Sequence, residues 1–182
     1  MLQIEETPLK DCFILQPRVF KDERGSFFET FNAKLFKTVT GIDVAFIQDN
    51  QSQSSYGVLR GLHFQKGAMA QAKLVRVVKG KVLDIVVDLR KDSETFGKQF
   101  SIILDAIDNK QLFVPRGFAH GFITLTDDAI FAYKCDNYYD AASEGGIIYN
   151  DATLSIDWHL SPKDFIVSEK DKQLPTFKEV TS

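Results

Sequence analysis

The chain has 182 residues, 44% of them hydrophobic and 26% charged, which predicts one globular domain over residues 1–182. Its net charge of −3 argues against a broad basic surface for nucleic acid or anionic membranes. Two cysteines are too few for a disulfide framework, and an acidic N-terminus with no membrane-length apolar run favours a cytoplasmic protein.

The first predicted element in chain order is a short helix from Asn32 to Thr38, with Asn32 as its N-cap and Gly41 ending it. From about residue 45 onward, short apolar runs alternate with period two, which is typical of strands. The predicted strands are residues 46–49, 73–78, 82–89, 100–104, 111–114, 121–125, 130–133 and 146–149. A last helical turn is expected at residues 161–164, where proline follows serine.

The strand pattern also predicts how the chain is arranged. Lys79-Gly80-Lys81 has the form of a tight turn, which would make residues 73–78 and 82–89 a hairpin. Many short antiparallel strands without crossover helices are typical of a sandwich, a barrel or a jelly roll. We therefore predict an all-β fold with a few short helices, in which a double-sheet jelly roll would leave a cavity for a small molecule.

Two of the three histidines lie among glycines and aromatic residues. The two segments are Arg60-Gly61-Leu62-His63-Phe64-Gln65 and Pro115-Arg116-Gly117-Phe118-Ala119-His120-Gly121-Phe122. A glycine inside a strand often marks a bulge, so Gly61 could turn both Arg60 and His63 into one pocket. Because imidazole moves protons near neutral pH and also binds metals, the segments indicate proton chemistry or a metal site.

The metal interpretation is the weaker one. Pro115-x-Gly117-x-x-His120 resembles half of a cupin metal signature, but the His-x-His pair of that signature is here His63-Phe64-Gln65. Two imidazoles without a carboxylate at ligand spacing make a poor transition-metal site. Without a metal, an imidazole serves as a general base, and inversion at carbon then needs an acid on the opposite face.

Other polar residues have a structural and a functional interpretation. Tyr133 shares a strand face with Phe131 and Cys135, where it could be a phenolic acid or a packing residue. Lys73, on an otherwise apolar face, could be a functional cation, a snorkelling side chain or part of a buried ion pair. The polar clusters around Arg24 and around Asn50 could equally be solvated loops and strand ends.

Taken together, these residues resemble the dTDP-4-dehydrorhamnose 3,5-epimerase family of nucleotide-sugar isomerases. Ten motifs in family order carry the resemblance: Asp22-x-Arg24-Gly25-x-Phe27-x-Glu29, Gln48-Asp49-Asn50-x-Ser52, Leu59-Arg60-Gly61-Leu62-His63-Phe64-Gln65, Ala70-Gln71-x-Lys73-Leu74-Val75-Arg76-Val77, Asp84-x-x-x-Asp88-Leu89-Arg90, Pro115-x-Gly117-Phe118-Ala119-His120-Gly121-Phe122, Tyr133-Lys134, Asn150-Asp151, Ile156-x-Trp158 and Ser168-x-Lys170-Asp171.

The resemblance implies a cupin-like jelly roll, or double-stranded β-helix, that forms a homodimer and needs no metal or nicotinamide cofactor. It implies epimerisation at C3 and C5 of dTDP-4-dehydro-6-deoxy-D-glucose, a dTDP-4-keto-6-deoxy sugar, to dTDP-4-dehydro-L-rhamnose in dTDP-L-rhamnose biosynthesis. Both carbons flank the C4 carbonyl, so each C–H becomes acidic as an enolate forms.

The resemblance also implies a role for each matching residue. His63 is the expected base with Asp171 as its paired carboxylate, while Tyr133 is the acid and Lys73 stabilises the enolate. The expected substrate-binding residues are Phe20, Arg24, Glu29, Gln48, Asp49, Asn50, Arg60, His120, Tyr139, Glu144 and Lys170. Tyr139 matches the family's thymine-stacking aromatic better than Tyr138 does. Residues 140–143 depart from the proline-containing stretch that often precedes the family glutamate.

Three other functions remain open at this point, and so does a substrate with a different sugar substituent or nucleotide. A relative that inverts only C3 or only C5 would use the same base and acid. A 3,4-ketoisomerase fits the combination of His63, Lys73, Tyr133 and Asp171 less well. A non-catalytic sugar-binding jelly roll would keep His63 and Asp171 as a structural pair, since one fold can host many functions.

Overall fold

Fourteen strands and two α-helices make up the regular structure of the computed structural model, which describes residues 2–182. The strands are β1 Gln3–Glu6, β2 Phe13–Gln16, β3 Phe20–Asp22, β4 Gly25–Phe27, β5 Gln48–Ser55, β6 Val58–Gln65, β7 Lys73–Lys79, β8 Lys81–Asp88, β9 Gln99–Asp105, β10 Gln111–Val114, β11 Phe118–Thr124, β12 Asp128–Cys135, β13 Glu144–Gly146 and β14 Ile166–Val167. The helices are α1 Ala33–Thr40 and α2 Phe177–Thr181.

The strands form two facing sheets and one small hairpin. The first sheet has the spatial order β1-β2-β10-β7-β12-β5, and the second has the order β13-β6-β11-β8-β9. Strand β14 pairs with β6 in parallel, and β3 pairs only with β4. This two-sheet arrangement confirms the predicted all-β jelly roll. Within residues 2–182, no helix has the length and apolarity needed to cross a bilayer.

Three apolar layers hold the sheets in place. The layer between the sheets takes Val75 and Val77 from β7, together with Phe122 and Phe131 from β11 and β12. A second layer packs the C-terminal segment, including Trp158, onto the outer face of the second sheet. A third packs α1 onto the outer face of the first sheet. The outer layers cover part of each sheet, and the apolar residues between the sheets are buried.

Strand β8 is buried on both faces, which is unusual for an antiparallel strand. Leu83, Ile85 and Val87 belong to the outer layer of the second sheet, whereas Val82 and Val86 belong to the layer between the sheets. Since side chains alternate along a strand, Asp84 and Asp88 share the inner face with the two valines. Both aspartates are completely buried.

The structure corrects the predicted hairpin. Strand β7 pairs with β10 and β12 in the first sheet, whereas β8 pairs with β11 and β9 in the second. The turn at Gly80 therefore carries the chain across from one sheet to the other. At Gly80, φ is 76° and an added Cβ would lie 2.2 Å from the carbonyl oxygen of Asp128, so this crossing requires glycine.

The predicted helix is confirmed, and several strand boundaries move. The Asn32 side chain accepts a hydrogen bond from the Leu35 amide at 3.0 Å, and Gly41 ends α1 in the left-handed conformation. A turn of 3₁₀ helix is present at Pro162–Asp164, as expected. Strand β5 begins at Gln48 rather than at residue 46, and Glu144–Gly146 is the strand where 146–149 was predicted.

Candidate active site

A cavity of about 690 Å³ opens between the two sheets and contains both histidines singled out from the sequence. Strands β5, β7 and β12 form one wall, and β6 and β11 form the other. Residues 166–171, which begin with β14, close the side of the second wall. Its polar lining residues include Asn50, Arg60, His63, Lys73, His120, Tyr133, Ser168, Lys170 and Asp171.

The wall formed by β6 and β11 depends on two glycines that let the strands approach closely. An added Cβ at Gly61 would lie 2.5 Å from the Cα of Gly121, and one at Gly121 would lie 2.7 Å from the Arg60 carbonyl oxygen. The register of the two strands shifts at this point, which confirms the predicted irregularity beside His63. His63 and His120 are direct cross-strand partners and therefore face the same side.

His63 is paired with Asp171. Its Nε2 lies 2.7 Å from Asp171 Oδ1, and the Gly61 amide donates to Asp171 Oδ2 at 3.3 Å. The Asp171 amide in turn donates to Ser168 Oγ at 3.1 Å, within the turn that follows β14. Burial raises the pKa of Asp171, but the hydrogen bond and charge of His63 and the Gly61 amide outweigh it and lower the pKa overall. The carboxylate is therefore held ionised beside the imidazole.

His120 has a carboxylate partner of its own. Its Nε2 lies 2.9 Å from Asp84 Oδ2 and 3.1 Å from Asp84 Oδ1, and its ring stacks on Phe131 with 5.9 Å between centroids. The His120 side chain is 7% exposed and that of Asp84 is fully buried, whereas the His63 side chain is 31% exposed. The cavity thus contains two imidazole–carboxylate pairs, one partly open to solvent and one enclosed.

Tyr133 and Lys73 lie on the opposite wall. Lys73 Nζ is 5.8 Å from the centre of the Tyr133 ring, and it has no hydrogen bond or ion pair to any part of the chain that the structure describes. Burial lowers the pKa of Lys73, while Cys135, Asp84 and Glu144 act in the opposite direction. Burial raises the pKa of Tyr133, so its phenol keeps its proton at neutral pH. These two side chains provide a proton donor and an uncommitted amine.

A chain of hydrogen bonds connects the rim of the cavity. Glu144 Oε2 lies 2.6 Å from Lys170 Nζ and accepts from the Tyr139 hydroxyl at 2.9 Å, while the Tyr139 amide donates to Gln48 Oε1 at 3.0 Å. Burial raises the pKa of Glu144, but its bonds to Lys170 and Tyr139 lower it overall. Arg60, which also lines the cavity, donates from Nε to Ser54 Oγ at 3.1 Å. The cavity therefore has two cations in its lining, Arg60 and Lys170, and an exposed aromatic ring at its rim.

Four predicted binding residues lie away from this cavity. Asp49 points to the outer face of the first sheet, where Lys134 Nζ lies 2.9 Å from its Oδ1. Phe20 and Arg24 belong to the β3–β4 hairpin, and the Arg24 side chain is 85% exposed. Glu29 lies beyond that hairpin, before α1. A single chain does not bring these residues to His63.

Several polar residues of the site have no role assigned from the sequence, among them Asp84, behind His120, and Ser168, beside Asp171. Asp84 belongs to one of the family motifs, and a carboxylate inside the apolar run 82–87 is a usable signal. Ser168 was likewise only a motif residue, and no pattern in the sequence indicates its contact with Asp171. Within residues 2–182, no three histidine, cysteine, aspartate or glutamate side chains converge as metal ligands do.

Comparison with known proteins places this geometry in a family. A family model described as dTDP-4-dehydrorhamnose 3,5-epimerase matches residues 6–179. The chain is 48% identical to the dTDP-4-dehydrorhamnose 3,5-epimerase of Escherichia coli strain K12 over 179 residues, which are 98% of this chain and 96% of that protein.

Solved structures agree with the sequence match. The crystal structure of dTDP-4-dehydrorhamnose 3,5-epimerase from Elizabethkingia anophelis NUHP1 has a TM-score of 0.96 and 54% identity, covering 100% of this chain and 99% of that one. The dTDP-6-deoxy-D-glucose-3,5-epimerase of Legionella pneumophila Philadelphia 1, solved in complex with dTDP-4-keto-L-rhamnose, has a TM-score of 0.94 and 43% identity over 98% of this chain and 94% of that one. The chain belongs to the dTDP-4-dehydrorhamnose 3,5-epimerase family.

Proposed function

We propose that the chain epimerises dTDP-4-dehydro-6-deoxy-D-glucose at C3 and C5 to give dTDP-4-dehydro-L-rhamnose, with His63 as base and Tyr133 as acid. The observation that carries the proposal is the placement of these two groups on facing walls of one cavity. Inversion of a carbon requires that a proton leave from one face and return to the other, and facing walls supply both groups at once.

The proposed reaction needs no reactant besides the sugar and the protons of solvent. His63 takes the proton from C3 or C5, and the electron pair of the broken C–H bond delocalises onto the C4 oxygen as an enolate. Tyr133 then delivers its phenolic proton to the opposite face of the carbon, and the C4 carbonyl re-forms. The His63 imidazolium then releases its proton to solvent, to which its side chain is 31% exposed. The Tyr133 phenolate takes up a proton from solvent, which restores the acid.

Lys73 is the candidate for stabilising the enolate. Its ammonium has no protein partner within residues 2–182 and lies beside the Tyr133 ring, so an anionic oxygen between the two walls would be its natural ligand. A cation held in a desolvated site stabilises developing charge far more than it would in water. His120 lines the same cavity and is assigned to binding the sugar.

The rim is the candidate site for the nucleotide. Arg60 and Lys170 are cations of the cavity lining, and a diphosphate is best bound by groups of this kind. The Tyr139 ring is 54% exposed, with its hydroxyl tied to Glu144, so its face is free to stack on the thymine. Gln48 and Asn50 complete the polar rim, linked by a hydrogen bond of 3.1 Å.

Proton exchange with solvent tests this function directly. Purified protein and dTDP-4-keto-6-deoxyglucose are combined in deuterated water, and loss of the C3 and C5 proton signals is followed by NMR. Deuterium at both carbons, with the product in the L-rhamno configuration, is the expected result. Deuterium at one carbon only would make the protein a mono-epimerase. Saturable binding without exchange would make it a sugar-binding jelly roll.

The site is completed, in this proposal, by a second copy of the chain in a homodimer. Phe20 and Phe27 project from the β3–β4 hairpin with 51% and 68% exposure, and Arg24 is among the most exposed charged side chains. Two exposed phenylalanines beside an arginine match the chemistry of a thymine and a diphosphate rather than that of bulk water. We assign Phe20, Arg24 and Glu29 to the nucleotide site of the partner.

Mixing two inactive variants tests this exchange. His63→Asn disables the cavity of a chain, and Arg24→Ala disables its hairpin. If the hairpin acts on the partner, each mixed dimer regains one intact site, and equal mixing should restore about a quarter of wild-type activity. No recovery after subunit exchange, checked by light scattering for dimer formation, would place the hairpin outside the site. The single domain and the cytoplasmic location stay predictions, which limited proteolysis and cell fractionation would test.

A further inference from the structure

The His120–Asp84 pair has no role in the proton transfers described above, yet its contacts are specific. Both carboxylate oxygens of Asp84 lie within 3.1 Å of His120 Nε2. Asp84 is on the inner face of β8, the strand directly paired with β11, where Phe122 is its cross-strand partner. The pair therefore connects the centre of the second sheet to the wall of the cavity.

The cost of burying Asp84 indicates that its place serves more than packing. A carboxylate removed from water needs several hydrogen bonds to offset its lost hydration. Asp88, four residues along the same strand and equally buried, receives such bonds from Arg90, Ser93 and Thr95. Asp84, by contrast, has His120 as its only side-chain partner among residues 2–182. An apolar residue at position 84 would suit the core better, unless the carboxylate acts on His120.

The contact determines which ring nitrogen of His120 a ligand can meet. An ionised carboxylate can only accept hydrogen bonds, so Nε2 of His120 must carry the hydrogen that points to Asp84. Nδ1 is then the nitrogen that remains for the contents of the cavity. Phe131 stacks on the ring and restricts its rotation, so tautomer and orientation are both constrained.

We propose that Asp84 is a positioning residue, which holds His120 in the Nε2–H tautomer so that Nδ1 meets the sugar while the reacting C–H faces His63. This inference rests on the proposed function, because it concerns the alignment of that substrate. It also explains why the two imidazoles are cross-strand partners, since one fixed ring can locate the sugar relative to the other. A misplacement of about 1 Å at such a contact can cost about 100-fold in rate.

The first test needs no substrate. The chain has three histidines, so nitrogen-15 NMR of the imidazole rings at slightly alkaline pH can be assigned with one variant for each histidine. We expect wild-type His120 to show the Nε2–H tautomer alone. In Asp84→Asn, the side-chain amide can present either its carbonyl oxygen or its NH2 group to Nε2. Both tautomers of His120 should therefore be present. A single unchanged tautomer in a folded D84N protein would overturn the proposal.

The second test is kinetic and uses Asp88 as a matched control. Loss of the fixed tautomer in D84N should lower kcat about 10- to 100-fold with KM changed less than about 3-fold. Asp88→Asn removes an equally buried carboxylate of the same strand that is bonded to Arg90, Ser93 and Thr95 instead of to a cavity histidine, so kcat per folded molecule should not change. Equal kcat losses in D84N and D88N would make Asp84 merely structural and overturn the proposal.

A double variant separates positioning from general damage. In the His120→Gln background there is no imidazole to orient, so adding D84N should change kcat less than about 3-fold. A full additive loss would mean that Asp84 does not act through His120. If wild-type protein exchanged no substrate protons at all, the proposed function and the kinetic part of this inference would fail together, while the tautomer measurement would still decide what Asp84 does to His120.

Discussion

The two imidazole–carboxylate pairs of the cavity contain the same chemical groups, but their surroundings differ. His63 is 31% exposed and its partner comes from the C-terminal segment, whereas His120 is 7% exposed and its partner lies on a central strand. A base that takes a proton in each turnover must also release it, and access to solvent allows this. An enclosed ring suits a fixed orientation instead. Burial, rather than residue type, therefore separates the two roles that we propose for these histidines.

The largest expected effect distinguishes the two histidines directly. His63→Asn should reduce exchange at both C3 and C5 by about 1,000-fold, the middle of the range of about 100- to 10,000-fold that general-base catalysis contributes. His120→Asn should cost about 10- to 100-fold, the loss expected for an orienting contact. The measurement is deuterium incorporation by NMR. The exposed His159 gives the control, because His159→Asn should leave the rate unchanged. Equal losses in the two variants would mean that the exposed and the enclosed histidine do not differ in role.

Substitution of Tyr133, the proposed acid on the opposite wall, tests whether His63 alone can exchange substrate protons with solvent. Tyr133→Phe leaves the base and its exposure intact, so protons should still leave and deuterium return from the same face. We expect exchange to exceed inversion by about 100-fold, because the missing acid no longer serves the other face. Comparing the deuterium content of substrate and product checks this. Parallel losses of exchange and inversion would assign Tyr133 to proton removal as well.

The pH dependence of the rate should show the effect of burial on Lys73. Burial lowers the pKa of Lys73, so its positive charge is lost at a lower pH than that of a free lysine. Turnover should therefore fall as pH rises through this lowered pKa, because a neutral amine stabilises an enolate poorly. Lys73→Arg, which stays charged, should remove that alkaline decline even if its rate is lower. An unchanged pH profile in the arginine variant would exclude Lys73 as its origin.

A smaller effect, on stability, is expected for Asp88, whose carboxylate has several hydrogen-bond partners where Asp84 has one side-chain partner. Burial raises the pKa of Asp88, but bonds from Arg90, Ser93 and Thr95 outweigh it and lower the pKa from 3.8 to about 2. A lowered pKa stabilises the fold above about pH 4, and this stability is lost as pH falls toward 2. At neutral pH it amounts to about 1 to 2 kcal/mol after allowance for solvent screening at Arg90.

Denaturant titrations of wild type and Asp88→Asn at several pH values measure the contribution of ionised Asp88 to the free energy of unfolding. The difference in unfolding free energy between the two proteins should shrink as pH falls from about 4 to about 2. A difference that does not depend on pH would mean that the Asp88 network stabilises through packing instead of charge.

The strand-rich fold and the cavity residues could be predicted from the sequence, but the sheet pairing could not. Alternation in residues 73–78 and 82–89 identified two strands correctly, and their short turn suggested a hairpin. The turn instead crosses between sheets, because each strand has better partners elsewhere. The polar strand β5 was predicted only at its first residues, since a cavity-facing strand lacks the apolar alternation used to detect it.

The site was predictable where a motif places a residue directly on a wall. His63, His120, Lys73 and Tyr133 were all expected in one pocket and all line it. The partner of His120 was not predicted, because a contact between residues 36 positions apart depends on the pairing of β8 with β11. The sequence did not indicate that Phe20, Arg24 and Glu29 lie away from the cavity of their own chain. That separation depends on how the chain folds.

The position of Asp171 near the end of the chain has a consequence for synthesis in the cell. The carboxylate lies 108 residues after His63, beyond every strand of both sheets. A ribosome therefore completes the walls of the cavity before it makes the partner of His63, the proposed base. A chain that stops short of residue 171 holds the imidazole without the group that orients it. If Asp171 acts as proposed, catalytic competence depends on translation continuing past all the strands to residue 171.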